Sequence, residues 1–245
     1  MLIELGAVGI IVGVMSGFFG IGGGTVSVPI LLYLGFDIKE AIGISVMQMT
    51  VSSFAGALIH RKKQTYNPSQ MQYFGYGGIV GAVVGGYLVK ILDASLLGWF
   101  FLSLVIFTLV RLFLSNPIPI HAEIANRPLY VMIGAGIGVF SGMLGVGGSI
   151  LMTPILVSFL GFPLKKASAV GLFYVMFTSL SSFITLSWFG MINFQAGALM
   201  ALGSLIGIWA GIWLLQKIKI THYKQTLVAF YVVILIITAN KLLLG

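Results

Sequence analysis

Three observations predict an all-α integral membrane protein made of two inverted repeats, each a glycine-broken re-entrant helical hairpin followed by three transmembrane helices. The chain has 245 residues, 59% hydrophobic and 7% charged, against roughly 25% charged residues in a soluble domain. Several apolar runs exceed the ~18 residues that mark a spanning helix, so soluble folds are excluded. A glycine-rich stretch occurs twice, GVMSGFFGIGGGTVSVPILLYLG from Gly13 to Gly35 and GVFSGMLGVGGSILMTPILVSFLG from Gly138 to Gly161. The third observation is the placement of the basic residues, which decides how the two halves are oriented.

The first half opens with MLIELGAVGIIVG, which lacks the basic n-region of a cleaved signal peptide and is expected to stay in the mature protein. An apolar arm to about Phe19, the break GIGGG and a second arm from Thr25 to Gly35 follow. Arms of about 12 to 15 residues would reach only ~18 to 22 Å into a ~30 Å hydrocarbon layer. A hairpin that dips past the midplane and turns back fits better. Helices are then expected from about Asp37 to His60, Ser69 to Leu92 and Ala94 to Leu114. SNPIPIHAEIANRPL, with three prolines, reads as the connection between halves. After the second hairpin, helices are expected from about Leu164 to Ser187, Gln195 to Gln216 and Tyr223 to Leu243. Residues 1–114 thus form the first repeat, 115–128 a cytoplasmic linker and 129–245 the second repeat, within one membrane domain.

The halves correspond position by position. Ser16, Gly17, Gly20, Gly22, Gly23 and Pro29 match Ser141, Gly142, Gly145, Gly147, Gly148 and Pro154 at a shift of 125. Gly35, Phe36, Lys39, Ala41, Asn67, Gly77, Gly81, Gly85 and Leu88 match Gly161, Phe162, Lys165, Ala167, Asn193, Gly203, Gly207, Gly211 and Leu214 at a shift of 126. If each hairpin enters and leaves on one side, a half crosses an odd number of times and the second half runs inverted. Arg61, Lys62, Lys63, Arg111, Arg127, Lys165, Lys166, Lys217, Lys219 and Lys224 then share one side, with Lys39, Lys90 and Lys241 opposite. A parallel arrangement would split the same residues almost evenly, so the positive-inside rule selects the inverted one, with both termini outside.

Inverted repeats bring the two hairpin tips to a common point near the midplane, where broken helices commonly form a substrate site. The glycines allow positive φ, so that successive N–H groups turn inward as an anion-binding nest beside the positive ends of the following half-helices. Candidate substrate-binding residues are Ser16, Gly17, Gly20, Gly22, Gly23, Gly24 and Thr25 in the first hairpin, and Ser141, Gly142, Gly145, Gly147, Gly148 and Ser149 in the second. Ser45 and Gln48, with Tyr174 aligned to Gln48, complete the set. Pro29 and Pro154 fall about one turn into the half-helices, where the proline penalty is small. No Lys or Arg lies within either hairpin. A helix terminus contributes at most ~2 kcal/mol, so two ends would give about 4 kcal/mol, near millimolar affinity. The run lacks the Lys-Ser/Thr ending of a phosphate loop, and nucleotide binding is not expected.

The patterns SGFFGIGGGTVSVP, AIGISV and SGMLGVGGSILMTP resemble the TauE/SafE sulfite exporter family of bacterial inner-membrane permeases, over essentially the whole chain. The resemblance implies a multi-pass protein of the bacterial inner membrane that exports sulfite, thiosulfate, organosulfonates or related small sulfur oxyanions. Here the following helix starts AIGIS, with Ile44 where the family usually has Thr, and the second copy reads ASAVG. Ser45 keeps a hydroxyl, whereas its counterpart Gly171 has none, so the pocket is asymmetric.

The expected activity is secondary transport by alternating access around the two breaks, with a passive anion channel and a cation carrier as alternatives. An enzyme is not expected, because no carboxylate, cysteine or metal cluster falls at membrane depth. No cofactor or metal is expected. The partners are a small anionic substrate and the lipid bilayer, without nucleic acid, since the net charge of +8 resides in short loops. A homodimer is left open as the assembly. The glycine stripes at Gly77, Gly81 and Gly85 and at Gly203, Gly207 and Gly211 read as packing faces, as do Ser52, Ser53, Thr178, Ser179, Ser181 and Ser182. His60, His121 and His222 map to helix ends or loops. The four tryptophans read as lipid contacts.

Overall fold

The computed structural model describes residues 2–62, 66–114, 124, 126–218 and 220–244. Lys63, His121, Lys219 and most of the expected linker lie outside them, as do the side chains of Arg111, His222 and Lys224. Ten helices and no strand occur among the described residues. They are α1 (Leu2–Phe19), α2 (Gly24–Tyr33), α3 (Ile38–Lys62), α4 (Pro68–Ile91), α5 (Ala94–Leu114), α6 (Arg127–Leu144), α7 (Ser149–Ser158), α8 (Leu164–Trp188), α9 (Phe194–Lys217) and α10 (Ile220–Leu244). By length and composition, α3, α4, α6, α8 and α9 can each cross a membrane. The four tryptophans are exposed, as lipid-facing residues would be.

Helix lengths repeat, 18, 10, 25, 24 and 21 residues in α1 to α5 and 18, 10, 25, 24 and 25 in α6 to α10. Several matched residues perform matched tasks. Asn67 and Asn193 cap α4 and α9, accepting from Ser69 N and Ala196 N, each at 3.1 Å; such caps contribute about 1 kcal/mol. Lys39 donates to Lys90 O at 3.5 Å and Lys165 to Gln216 O at 3.4 Å. Each places a cation at the negative end of a helix.

The arms of each hairpin are less equal than the sequence suggests. α1 and α6 have 18 residues and α2 and α7 have 10, about 27 and 15 Å of helix. The long arm meets no residue that stops a helix before Gly20 or Gly145, whereas the short arm ends where Gly35 and Gly161, at φ +93 and +71, reverse the chain.

The long arms lie against the glycine stripes, as expected of packing faces. α1 runs parallel to α9, with Gly203, Gly207 and Gly211 facing the carbonyls of Gly6, Ile10 and Val14. In the same way α6 runs parallel to α4, where Gly77, Gly81 and Gly85 face the carbonyls of Val131, Ala135 and Val139. α3 packs on α8, with the hydroxyls of Ser53 and Ser179, matched positions, 3.3 Å apart. α5 packs on α10, and each also touches the short helix of the other half, α5 on α7 and α10 on α2.

Candidate functional site

The two glycine breaks meet. A Cβ on Gly24 would strike the carbonyl of Gly145 and come within 2.8 Å of Val146 Cα. The meeting point is level with the middle of α3 and α8. Gln48 and Met49 of α3, and Val175 of α8, touch the breaks there.

Glycine is needed because the chain turns through the left-handed region, at Gly20, Gly22 and Gly23 (φ +70, +75, +91) and again at Gly145, Gly147 and Gly148 (φ +62, +72, +73). An L-residue would be strained in each of these conformations. The breaks leave polar backbone exposed to one another. Each long arm is closed by one bond, Gly20 N to Ser16 O and Gly145 N to Ser141 O, and the short helices begin pairing only at Val26 N and Leu151 N. Between them, the N–H groups of Ile21 to Thr25 and of Val146 to Ile150 make no backbone hydrogen bond among the described residues. These donors lie at the positive ends of α2 and α7.

Every predicted site residue is buried, but their tasks differ. Gly22 and Gly147 both pack on Val175, and Gly24 and Gly147 on the Met49 sulfur. Gly23 faces the Gln48 amide, and Gly148 faces Tyr174 and Ser141. The hydroxyls of Ser16, Thr25, Ser141 and Ser149, and the Gln48 Oε1, have no hydrogen-bond partner among the described residues, a costly state for buried polar atoms unless something else occupies them.

Gly17 and Gly142 face away, against α9 and the carbonyl of Ala82 in α4. The Tyr174 hydroxyl is already committed, donating to Gly134 O at 2.8 Å. Ser45 is committed too. Its hydroxyl donates to Gly145 O at 2.8 Å and accepts from Ser27 at 2.9 Å, joining α2 and α3 to the second break.

Pro29 and Pro154 stand deeper than one turn. Each is the sixth residue of its helix, so the carbonyls of Thr25 and Ile150 lose the donor that position would supply.

Three neighbours escaped the sequence reading. Met49 and Val175 are matched at the shift of 126 and wedge between the breaks from opposite helices. Their signal was the correspondence itself, one residue beyond Gln48 and Tyr174. Thr178, read as a packing residue, donates to Gly147 O at 3.2 Å.

Removing the Ser45 hydroxyl tests its bridging role. Ser45→Ala leaves Gly145 O buried and unpaired, an expected loss of about 1–3 kcal/mol, while Ser27 can turn to Gly23 O at 3.2 Å. Purified Ser45→Ala protein should therefore melt several degrees below the parent in detergent. An unchanged melting temperature would mean that the carbonyl finds another donor.

The profile of the sulfite exporter TauE/SafE family matches residues 5–240. A probable membrane transporter protein of Methanocaldococcus jannaschii is 27% identical, over 89% of this chain and 87% of the relative. The probable membrane transporter protein YunE of Bacillus subtilis is 24% identical, over 96% and 94%. Sulfite exporter TauE/SafE family protein 1 of Arabidopsis thaliana is 25% identical over 66% of this chain and 40% of its own length. No solved structure matches. These relatives are named as transporters rather than enzymes. This chain belongs to the TauE/SafE sulfite exporter family of multi-pass membrane transporters.

Proposed function

We propose that the chain carries a small sulfur oxyanion, such as sulfite, thiosulfate or an organosulfonate, by alternating access around the two glycine breaks. The observation that carries this reading is the pair of N–H arrays, Ile21 to Thr25 and Val146 to Ile150, without backbone partners in two breaks that touch, with unpartnered hydroxyls on the same segments among the described residues. An oxyanion presents several acceptors and no donors, which is what such a lining can satisfy. The name of the Arabidopsis relative points to the same substrate class.

The contact between the breaks corresponds to a closed state, and a substrate enters when one hairpin withdraws. Support for inverted halves comes from the parallel pairs. Within a half, α1 and α4 are separated by three reversals of direction, while α1 runs with α9 and α4 with α6, so α6 opposes α1. The hairpins then approach from opposite faces, as alternating access requires. An exported anion gains ~2.3 kcal/mol per charge per 100 mV of inside-negative potential, a force in the direction of export.

The test is counterflow in proteoliposomes. Vesicles preloaded with unlabelled sulfite or thiosulfate should accumulate the labelled anion above equilibrium, saturably, with little competition from chloride or sulfate. Thr25→Val, which keeps the side-chain shape, should raise the half-saturating concentration about tenfold through loss of one charge-assisted donor. Ohmic, unsaturable flux would replace the carrier by a channel. Absence of counterflow for sulfite, thiosulfate and methanesulfonate with monodisperse protein would overturn the reading.

A further inference from the structure

The carbonyl that ends the first long arm has lost the partner its counterpart keeps. At the second break, Gly145 O receives the Ser45 hydroxyl. At the first break the matching carbonyl is Gly20 O, which accepts no backbone hydrogen bond among the described residues, and Ser45 is matched by Gly171. The space that a Cβ on Gly171 would take is bounded by Gly20 O at 3.0 Å, Ser149 Cβ at 3.3 Å and Thr153 Oγ1 at 3.7 Å. The Ser168 hydroxyl, three residues before Gly171 on α8, touches the place where a Gly20 Cβ would stand.

Ser149 and Thr153 are four apart on α7, and Ser168 and Gly171 three apart on α8, so each pair shares a helix face. The three hydroxyls belong to residues exposed by 0%, 7% and 0%, and none has a hydrogen-bond partner among the described residues. Their matched positions in the first half are Gly24, Val28 and Ile42. The three hydroxyls therefore have no counterpart at the matched positions of the first half.

We propose that Gly20 O, Thr153 and Ser168 hold a dehydrated monovalent cation of sodium's size. All three ligands are neutral oxygens, and the carbonyl lies at the negative end of α1, where unwound backbone suits a cation. A divalent ion would call for carboxylates, and no group of three or more acidic, histidine or cysteine side chains able to hold a metal occurs among the described residues. The cluster contains no titratable side chain, so a carried proton is a poorer fit than an alkali ion. Its consequence for transport rests on the anion reading: a cation here would sit beside α7, whose positive end faces the substrate, and anion exchange would depend on sodium.

Two readouts on the full-length protein test this. In detergent at constant ionic strength, sodium chloride should raise the melting temperature saturably relative to choline chloride, with retention of radioactive sodium. Ser168→Ala and Thr153→Val should lose the shift, and Thr153→Ser should restore it. Gly171→Ser places a hydroxyl on Gly20 O as Ser45 does on Gly145 O, and should remove the sodium shift without lowering the melting temperature in choline. In proteoliposomes, exchange should be at least ~fivefold faster in sodium than in choline for the parent, and independent of sodium in Gly171→Ser. Equal melting in sodium, potassium and choline with no sodium retained would overturn the proposal, leaving water on the hydroxyls. A sodium shift in protein that exchanges no anion would leave the cation site standing and overturn the anion reading instead.

Discussion

Gly24→Ala should cut anion exchange at least ~tenfold, equivalent to about 1.4 kcal/mol, while leaving the protein folded. Gly24 has ordinary helical backbone, so alanine brings no conformational strain there. The added methyl would run into Gly145 O, the Met49 sulfur at 2.6 Å and Val146 Cα at 2.8 Å. Met49 has a flexible side chain and can move, but the other two atoms are backbone at the opposing break. The breaks must part, and the two donor arrays part with them. Overpacking of this kind costs about 1–3 kcal/mol, less than the usual stability of a folded chain, so the loss should appear in transport before it appears in folding. The matched position already carries a side chain, Ser149, and alanine there keeps its Cβ. Ser149→Ala should therefore change no packing, which separates steric from chemical effects at the two positions. The measurement is counterflow normalised to monodisperse reconstituted protein. Exchange by Gly24→Ala at the parental rate would mean that close contact of the breaks is not a state on the transport cycle.

The sequence carried the helices and the breaks because both depend on local chemistry. Apolar runs longer than a bilayer is thick can only be helices in lipid, and GIGGG and GVGG announce positive φ with no help from tertiary structure. Correspondence between halves extended this further: it made Asn67 and Asn193 equivalent before their caps were seen, and it set Gly171 against Ser45. What it did not separate was the glycine of a break from the glycine of a packing face. Gly17 and Gly20 lie in one motif, yet Gly17 is still inside α1 and faces α9. That distinction depends on which neighbour each helix face meets, which no local pattern encodes. Met49 and Val175 were missed for a related reason. An apolar side chain in an apolar helix carries no chemical signal, and only its position between two breaks makes it special.

Gly81→Ile should largely eliminate folded protein from the membrane, whereas Gly136→Ile should accumulate like the parent. The two residues lie on α4 and α6, which pack on each other along their length. At Gly81 an added Cβ would strike Ala135 O and stand 2.9 Å from Val139 N, both backbone atoms of α6. At Gly136 nothing lies within 4 Å. Helices in lipid gain little from burying apolar surface against one another, so close backbone approach and the dispersion it allows must supply their association. An isoleucine at Gly81 would force the axes apart along the stripe, removing contacts from Gly77 to Gly85 together. The same holds for Gly207 between α9 and α1, with Gly6, where an added Cβ would meet nothing within 4 Å among the described residues, as its control. Yield of monodisperse protein after extraction is the readout, with a loss of at least ~tenfold expected for Gly81→Ile and Gly207→Ile. Parental yield and melting for Gly81→Ile would show that α4 and α6 do not meet backbone to backbone. The hairpin geometry would then fall as well, because these stripes hold the long arms that carry each break to the middle of α3 and α8.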